Sequence, residues 1–92
     1  MTERSLRLDP ALELLGATIR QYRKQRGLTQ QELADQTALS ATYILQIERG
    51  KRNISVLNLL RLANALQISS SSLLQPLEAH HEIYAPSRKE SS

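Results

Sequence analysis

The chain of 92 residues has no cysteine, phenylalanine or tryptophan, and only three glycines and three prolines. Without cysteine, neither a disulfide framework nor a thiolate metal site can staple so short a chain, so stability must come from packed helices or from oligomerisation. Strand signals are nearly absent, because no stretch alternates apolar and polar residues beside a hairpin turn. No apolar run approaches the roughly 20 residues that span a bilayer. The opening MTERSLRLDP lacks the apolar core of a secretory signal, so the expected location is cytoplasmic. The length allows one small domain with loose ends and excludes two independent ones.

Reaction chemistry is equally sparse. There is no glycine-rich phosphate loop, no Ser/His/Asp arrangement on a plausible scaffold and no buried carboxylate pair, so neither an enzyme nor a cofactor is expected. His80 and His81 beside Glu82 invite a metal reading. No third ligand stands at chelating spacing, and adjacent histidines in a polar segment are more often solvated, so no metal is expected.

What the chain does have is positive charge in its middle third. Between Arg20 and Arg52 there are seven bases against three acids, a net +4, whereas the remainder is −1 and the whole chain +3. Such a concentration suits a polyanionic partner, although an ordinary solvated surface would look the same from charge alone.

Helical spacing recurs throughout. Asp9-Pro10 reads as an N-cap followed by proline at the first helical position, and Leu12, Leu15, Ile19 and Tyr22 line one face of a helix that stops at Gly27. Gly16 inside it costs about 1 kcal/mol relative to alanine, so the residues before it could form a separate turn. Thr29-Gln30-Gln31-Glu32 is a capping box and opens a second helix, expected over about 30–36. Ser40 caps a third, ending at Gly50, and the short turn between the two makes a helix-turn-helix. A basic loop, Lys51 to Ile54, leads to Ser55, the cap of a fourth helix with Val56, Leu59, Leu62, Ala63 and Leu66 as its expected core stripe. The serine run 69–72 is expected to precede a fifth helix of one to two turns bearing Leu73 and Leu74 and limited by Pro76. The expected organisation is an N-terminal arm (1–8), a helical domain (9–77) and a polar tail (78–92), ordered at most in part.

The third helix carries the most informative pattern. At 100° per residue, Ile44 and Ile47 define a buried direction, and the opposite side is occupied by Thr42, Leu45, Gln46 and Arg49. A hydroxyl, an amide, a guanidinium and one aliphatic group form a set able to read base edges. Glutamine can pair with adenine, arginine with guanine, and an apolar side chain can touch the thymine methyl. Many solvated helix faces carry similar residues.

Residues 15–74, through "LTQQELA" joined to "YILQIERGKRNIS" and followed by "LLRLANAL", resemble the Cro/CI-like (XRE) family of bacterial and phage helix-turn-helix regulators. The resemblance implies an all-α, five-helix lambda-repressor-like domain in which the third helix enters the major groove of double-stranded DNA and the second crosses the backbone. On it, Ser40, Ala41, Thr42 and Gln46 take base-facing positions, joined by Leu45 and Arg49 from the helical geometry. Gln30 takes a phosphate-contacting position, as do Lys51, Arg52 and Asn53, with Tyr43 at the flank able to pack or to bond phosphate. Arg23 and Glu48 match a pair that holds the first helix to the third. Ala38 departs from the family's frequent glycine in the turn, and Ala41 from its frequent arginine or glutamine.

A single module makes too few contacts for tight binding, so a homodimer on a pseudo-palindromic operator is expected. Leu57, off the fourth helix's stripe, is the first candidate for its interface, with Leu73, Leu74 and Leu77 able to extend it. The expected function is transcriptional regulation, as a repressor or activator. The "IERGKRNIS" segment and the small size are similar to those of restriction–modification controller proteins, and phage repressors share them. Two rivals remain: an antitoxin that binds operator DNA and, through its tail, a toxin protein, and a purely structural helical module.

Overall fold

The computed structural model describes residues 9–85, so the expected arm 1–8 and the end of the tail lie outside it. Five α-helices follow one another: α1 (Pro10–Gln25), α2 (Gln30–Thr37), α3 (Ala41–Glu48), α4 (Val56–Leu66) and α5 (Ser70–Ala79), with a 3-10 turn at His81–Ile83. None of the described helices is long and apolar enough to cross a membrane.

The helix starts are set by local side-chain chemistry. An N-cap oxygen satisfies an orphan amide of the first turn in every case. Asp9 Oδ1 accepts from Ala11 N at 2.8 Å, Ser40 Oγ from Tyr43 N at 3.0 Å and Ser55 Oγ from Asn58 N at 3.1 Å. At α2 the capping box is complete: Glu32 N donates to Thr29 Oγ1 at 3.0 Å and Thr29 N to Glu32 Oε1 at 2.8 Å. Four helices end on a left-handed residue, Gly27 after α1, Ala38 after α2, Gly50 after α3 and Gln67 after α4.

Helix α1 packs mainly on α5 and α3, α2 on α3 and α4, and α4 on α5. They enclose one core in which Ile19, Leu33, Ile44, Leu62, Leu66 and Leu73 are fully buried. Burial of each such side chain contributes roughly 1.5–3 kcal/mol. Thr37, also buried, needs no outside partner, because its hydroxyl donates to the Leu33 carbonyl of its own helix at 2.8 Å.

Four expectations require correction. Gly16 does not interrupt α1, which runs unbroken through it. The serine run does not precede α5: Ser69 is its N-cap and residues 70–72 form its first turn. Pro76 lies inside that helix, which continues to Ala79, with Leu77 beyond the proline packed on the core. Val56 is 74% exposed. The helical repeat puts it only about 20° from buried Ala63, but as the first residue of α4 it lies at an end of the helix that its neighbours do not cover.

Candidate nucleic-acid interface

Helix α3 is held from its inner side. Ile44 and Ile47 are buried beneath it, and Glu48 at its last turn is buried too. Glu48 forms a two-pronged ion pair with Arg23 of α1: Nε to Oε2 at 2.6 Å and Nη2 to Oε1 at 3.1 Å. The pair is not left short of partners. Arg23 Nη1 donates to the Leu28 carbonyl at 2.8 Å, and Gln30 Nε2 of α2 donates to Glu48 Oε1 at 3.0 Å. One carboxylate thus joins α1, the start of α2 and the end of α3. The side chains are 9% and 2% exposed, so removal of either partner would leave a buried charge uncompensated.

Gly16 explains how α1 comes this close. A Cβ there would collide with the Ile47 carbonyl oxygen and lie 2.8 Å from that of Glu48. Both are backbone atoms, so only glycine permits the approach. Gly50, at φ 72°, closes the same contact from just beyond the end of α3, since a Cβ on it would sit 2.8 Å from Glu13 Cα of α1.

The outer side of α3 borders two grooves. On the α4 side, a groove of about 410 Å³ is lined by Ser40, Thr42, Tyr43, Gln46, Arg52 and Asn58, with Ala38 and Leu39 at its end. On the α1–α2 side, a groove of about 210 Å³ is lined by Arg20, Gln30, Glu48 and Arg49. The expected stripe is therefore divided. Thr42, exposed, and Gln46, half-buried, share the first groove, whereas Arg49 is the C-cap of α3 and faces the second with Arg20. Leu45 is half-buried, and Ala41 is half-buried and leans on the core.

Of the expected phosphate contacts, Lys51, Arg52 and Asn53 are exposed in the loop after α3. Gln30 spends one amide hydrogen on Glu48 and keeps the other. Tyr43 packs partly on the core, accepts a hydrogen bond from Asn58 Nδ2 at 3.0 Å, and carries the Arg52 guanidinium 5.0 Å from its ring centroid.

The expected dimer residues separate. Leu73 is fully buried in the core and has no surface to offer a partner. It lies on the inner side of α5, where α1 and α4 meet. Leu74 and Leu77 are half-buried against the same core. Leu57 is 57% exposed and is accompanied on α4 by Val56 and by Leu60, 49% exposed.

Sequence reasoning passed over three positions. Arg20 lines the same groove as Gln30 and Arg49, and its signal was the helical repeat that puts it three residues before Arg23. Asn58 and Leu60 become visible only once α3 and α4 are placed together.

Helices α2 and α3, joined by residues 38–40 and tied into one core, make this a helix-turn-helix domain, the class through which transcription regulators bind DNA. The chain belongs to the helix-turn-helix family HTH_3, which matches residues 19–73. Control protein C.SmaI of Serratia marcescens is 40% identical over 62 residues, 67% of this chain and 74% of that protein. The restriction-modification controller protein C.AhdI from Aeromonas hydrophila matches with a TM-score of 0.67 and 40% identity, over 67% of this chain and 94% of that one. SinR, a master regulator for biofilm formation solved in complex with DNA, matches with a TM-score of 0.63 and 34% identity, over 65% of this chain and 97% of that one. These similar proteins are regulators, not enzymes.

Proposed function

We propose that the protein is a sequence-specific regulator that binds a pseudo-palindromic operator as a homodimer, with α3 in the major groove. The observation that carries this reading is the placement of α3. Its inner face is locked by Ile44, Ile47 and the Arg23–Glu48 pair, while Thr42 and Gln46 open on a groove edged by Arg52. A rigidly seated helix with amide and hydroxyl groups outward suits direct base reading. Gln46, Thr42 and Leu45 take that role, with Ser40 and Ala41 at the helix start. Arg20, Arg49, Lys51 and Arg52 neutralise phosphates on the two flanks, where Gln30 and Asn53 add neutral hydrogen bonds to them, and Arg49 moves from the base-reading set to this one. The similarity to C.SmaI and C.AhdI supports the narrower reading of a restriction–modification controller. We do not extend the proposal to a toxin partner, a reading that depends on the tail, whose residues 86–92 lie outside the described ones.

Selection of bound sequences from a random duplex pool tests the whole reading. It should enrich two inverted half-sites whose centres are spaced by about one helical turn, roughly 34–36 Å, or a multiple of it. Pools that stay random through successive rounds would overturn sequence specificity. On the recovered site, Gln46→Ala should cost roughly 1–3 kcal/mol and relax preference at one base pair. Lys51→Ala should instead weaken recovered and random duplexes alike and reduce the salt slope by about one. Equal losses on both duplexes for Gln46→Ala would remove it from the reading face.

A further inference from the structure

A short hydrogen-bond chain on the α3–α4 flank has a polarity that its end member decides. Arg61 Nη1 lies 3.2 Å from Asn58 Oδ1, and Asn58 Nδ2 lies 3.0 Å from Tyr43 Oη. A guanidinium has five donors and no acceptor, so the amide must turn its oxygen toward Arg61 and its NH2 toward Tyr43. The opposite orientation would set two donors face to face. The Tyr43 oxygen is therefore the acceptor of that contact, and its own proton is directed elsewhere.

The surroundings indicate where. Tyr43 and Asn58 both line the groove on the α4 side of α3, and Arg52 stands over the Tyr43 ring at 5.0 Å. Over the ring, that cation likewise brings donors and no acceptor to the groove. A hydroxyl proton presented beside a guanidinium is complementary to an anionic oxygen. At about 100° per residue, Tyr43 falls near 110° from the outward axis of α3, so it meets the rim of a groove into which α3 is inserted and not the base edges at its floor.

We propose that Asn58, oriented by Arg61, is a positioning residue that commits the Tyr43 hydroxyl to donate to a backbone phosphate of the operator, beside Arg52. The proposal rests on the DNA-binding reading above and adds to it a contact set by hydrogen-bond polarity, not by charge. Asn58 acts only through Tyr43. A neutral donor of this kind contributes affinity without releasing a counterion, and so leaves the salt dependence untouched.

A double-mutant cycle on the duplex recovered by selection, read by fluorescence anisotropy, tests it. Tyr43→Phe keeps the ring and removes the donor, and should weaken binding roughly five- to twenty-fold. Asn58→Ala should produce a loss of the same order when Tyr43 is present and less than about a two-fold loss when Phe replaces it. Neither variant should change the slope of log K against log salt, whereas Arg52→Ala should flatten it by about one. Thermal midpoints measured on the same samples should stay within a few degrees of wild type, because the packing of the ring is retained in all of them. Equal losses for Asn58→Ala in both backgrounds would show that Asn58 touches DNA itself and would overturn the relay. So would an unchanged affinity in Tyr43→Phe, or a flattened salt slope in Asn58→Ala. Failure of the wild-type protein to bind any duplex would overturn this inference and the DNA-binding reading together, whereas tight wild-type binding with an additive cycle overturns this inference alone.

Discussion

Ala38 occupies a conformation that alanine tolerates poorly. Its φ of 60° and ψ of 28° place it in the left-handed region at the end of α2, and Gln67 does the same at the end of α4 with φ 60° and ψ 40°. In both, the Cβ crowds the following carbonyl, at a cost of roughly 1–2 kcal/mol that glycine avoids. Glycine gives part of this back through the greater freedom of its unfolded chain. Ala38→Gly should therefore stabilise the protein by about 0.5–1 kcal/mol, raising the thermal midpoint by a few degrees, with DNA affinity unchanged. A calorimetric scan would decide it, and a lowered midpoint would mean that the turn is held in place by contacts of the methyl. The sequence marked position 38 as a departure from a frequent glycine, and the structure shows that the turn keeps its left-handed geometry with alanine in place. Gly16 was legible only as a weak helix residue. Its actual role, the close passage of α1 over the Ile47 and Glu48 carbonyls, depends on two segments far apart in the chain and leaves no local mark.

Between elements, the strongest tie is the three-way bond at Glu48. Capping residues and glycine stops revealed most helix boundaries from the sequence, because each acts within three or four residues of itself. Burial is decided across elements and was less legible. The stripe on α4 held for Leu59, Leu62, Ala63 and Leu66 but failed at Val56, where the helix begins and its neighbours no longer cover it. Pro76 failed as a stop: α5 runs through it to Ala79, with Leu77 beyond it packed on the core. The Arg23–Glu48 pairing came from a family resemblance, and the structure adds Gln30 as its third member. Glu48→Ala should destabilise the domain by roughly 3–5 kcal/mol, since it leaves Arg23 charged and buried. Joint replacement of Arg23 by Met and Glu48 by Leu should recover most of that stability. The joint variant should still bind DNA more weakly than wild type, because Gln30 and the end of α3 lose their common anchor. Urea denaturation of both variants checks the first part, and anisotropy on the selected duplex the second. If the single substitution cost less than about 1 kcal/mol, the pair would be no more than a surface contact.

For the molecule as a whole, the unanswered demand is on the outside of α4. Val56, Leu57 and Leu60 are 74%, 57% and 49% exposed. Their spacing of one, three and four residues brings them onto one side of the helix as a contiguous apolar patch. A chain of this length has little core to spare, and leaving three large aliphatic groups in water forgoes burial of about 1.5–3 kcal/mol each if all were covered. A two-fold axis through this patch would cover the same residues on both protomers, as an isologous interface requires, and would leave the outer face of each α3 unobstructed. Leu57 was the only one of the three that sequence reasoning nominated, and its companions replace Leu73, which the core claims. Leu60→Glu should then shift the protein from dimer to monomer in sedimentation velocity at micromolar concentration, because like charges would meet across the axis. The folded monomer should keep its helical circular dichroism, since Leu60 contributes little to its own core. Operator binding should weaken far more than binding to a single half-site, by the loss of one module's contribution on the palindrome. A Leu60→Glu protein that remained dimeric would move the interface elsewhere, and one that stayed dimeric while losing operator binding would place α4 against DNA instead.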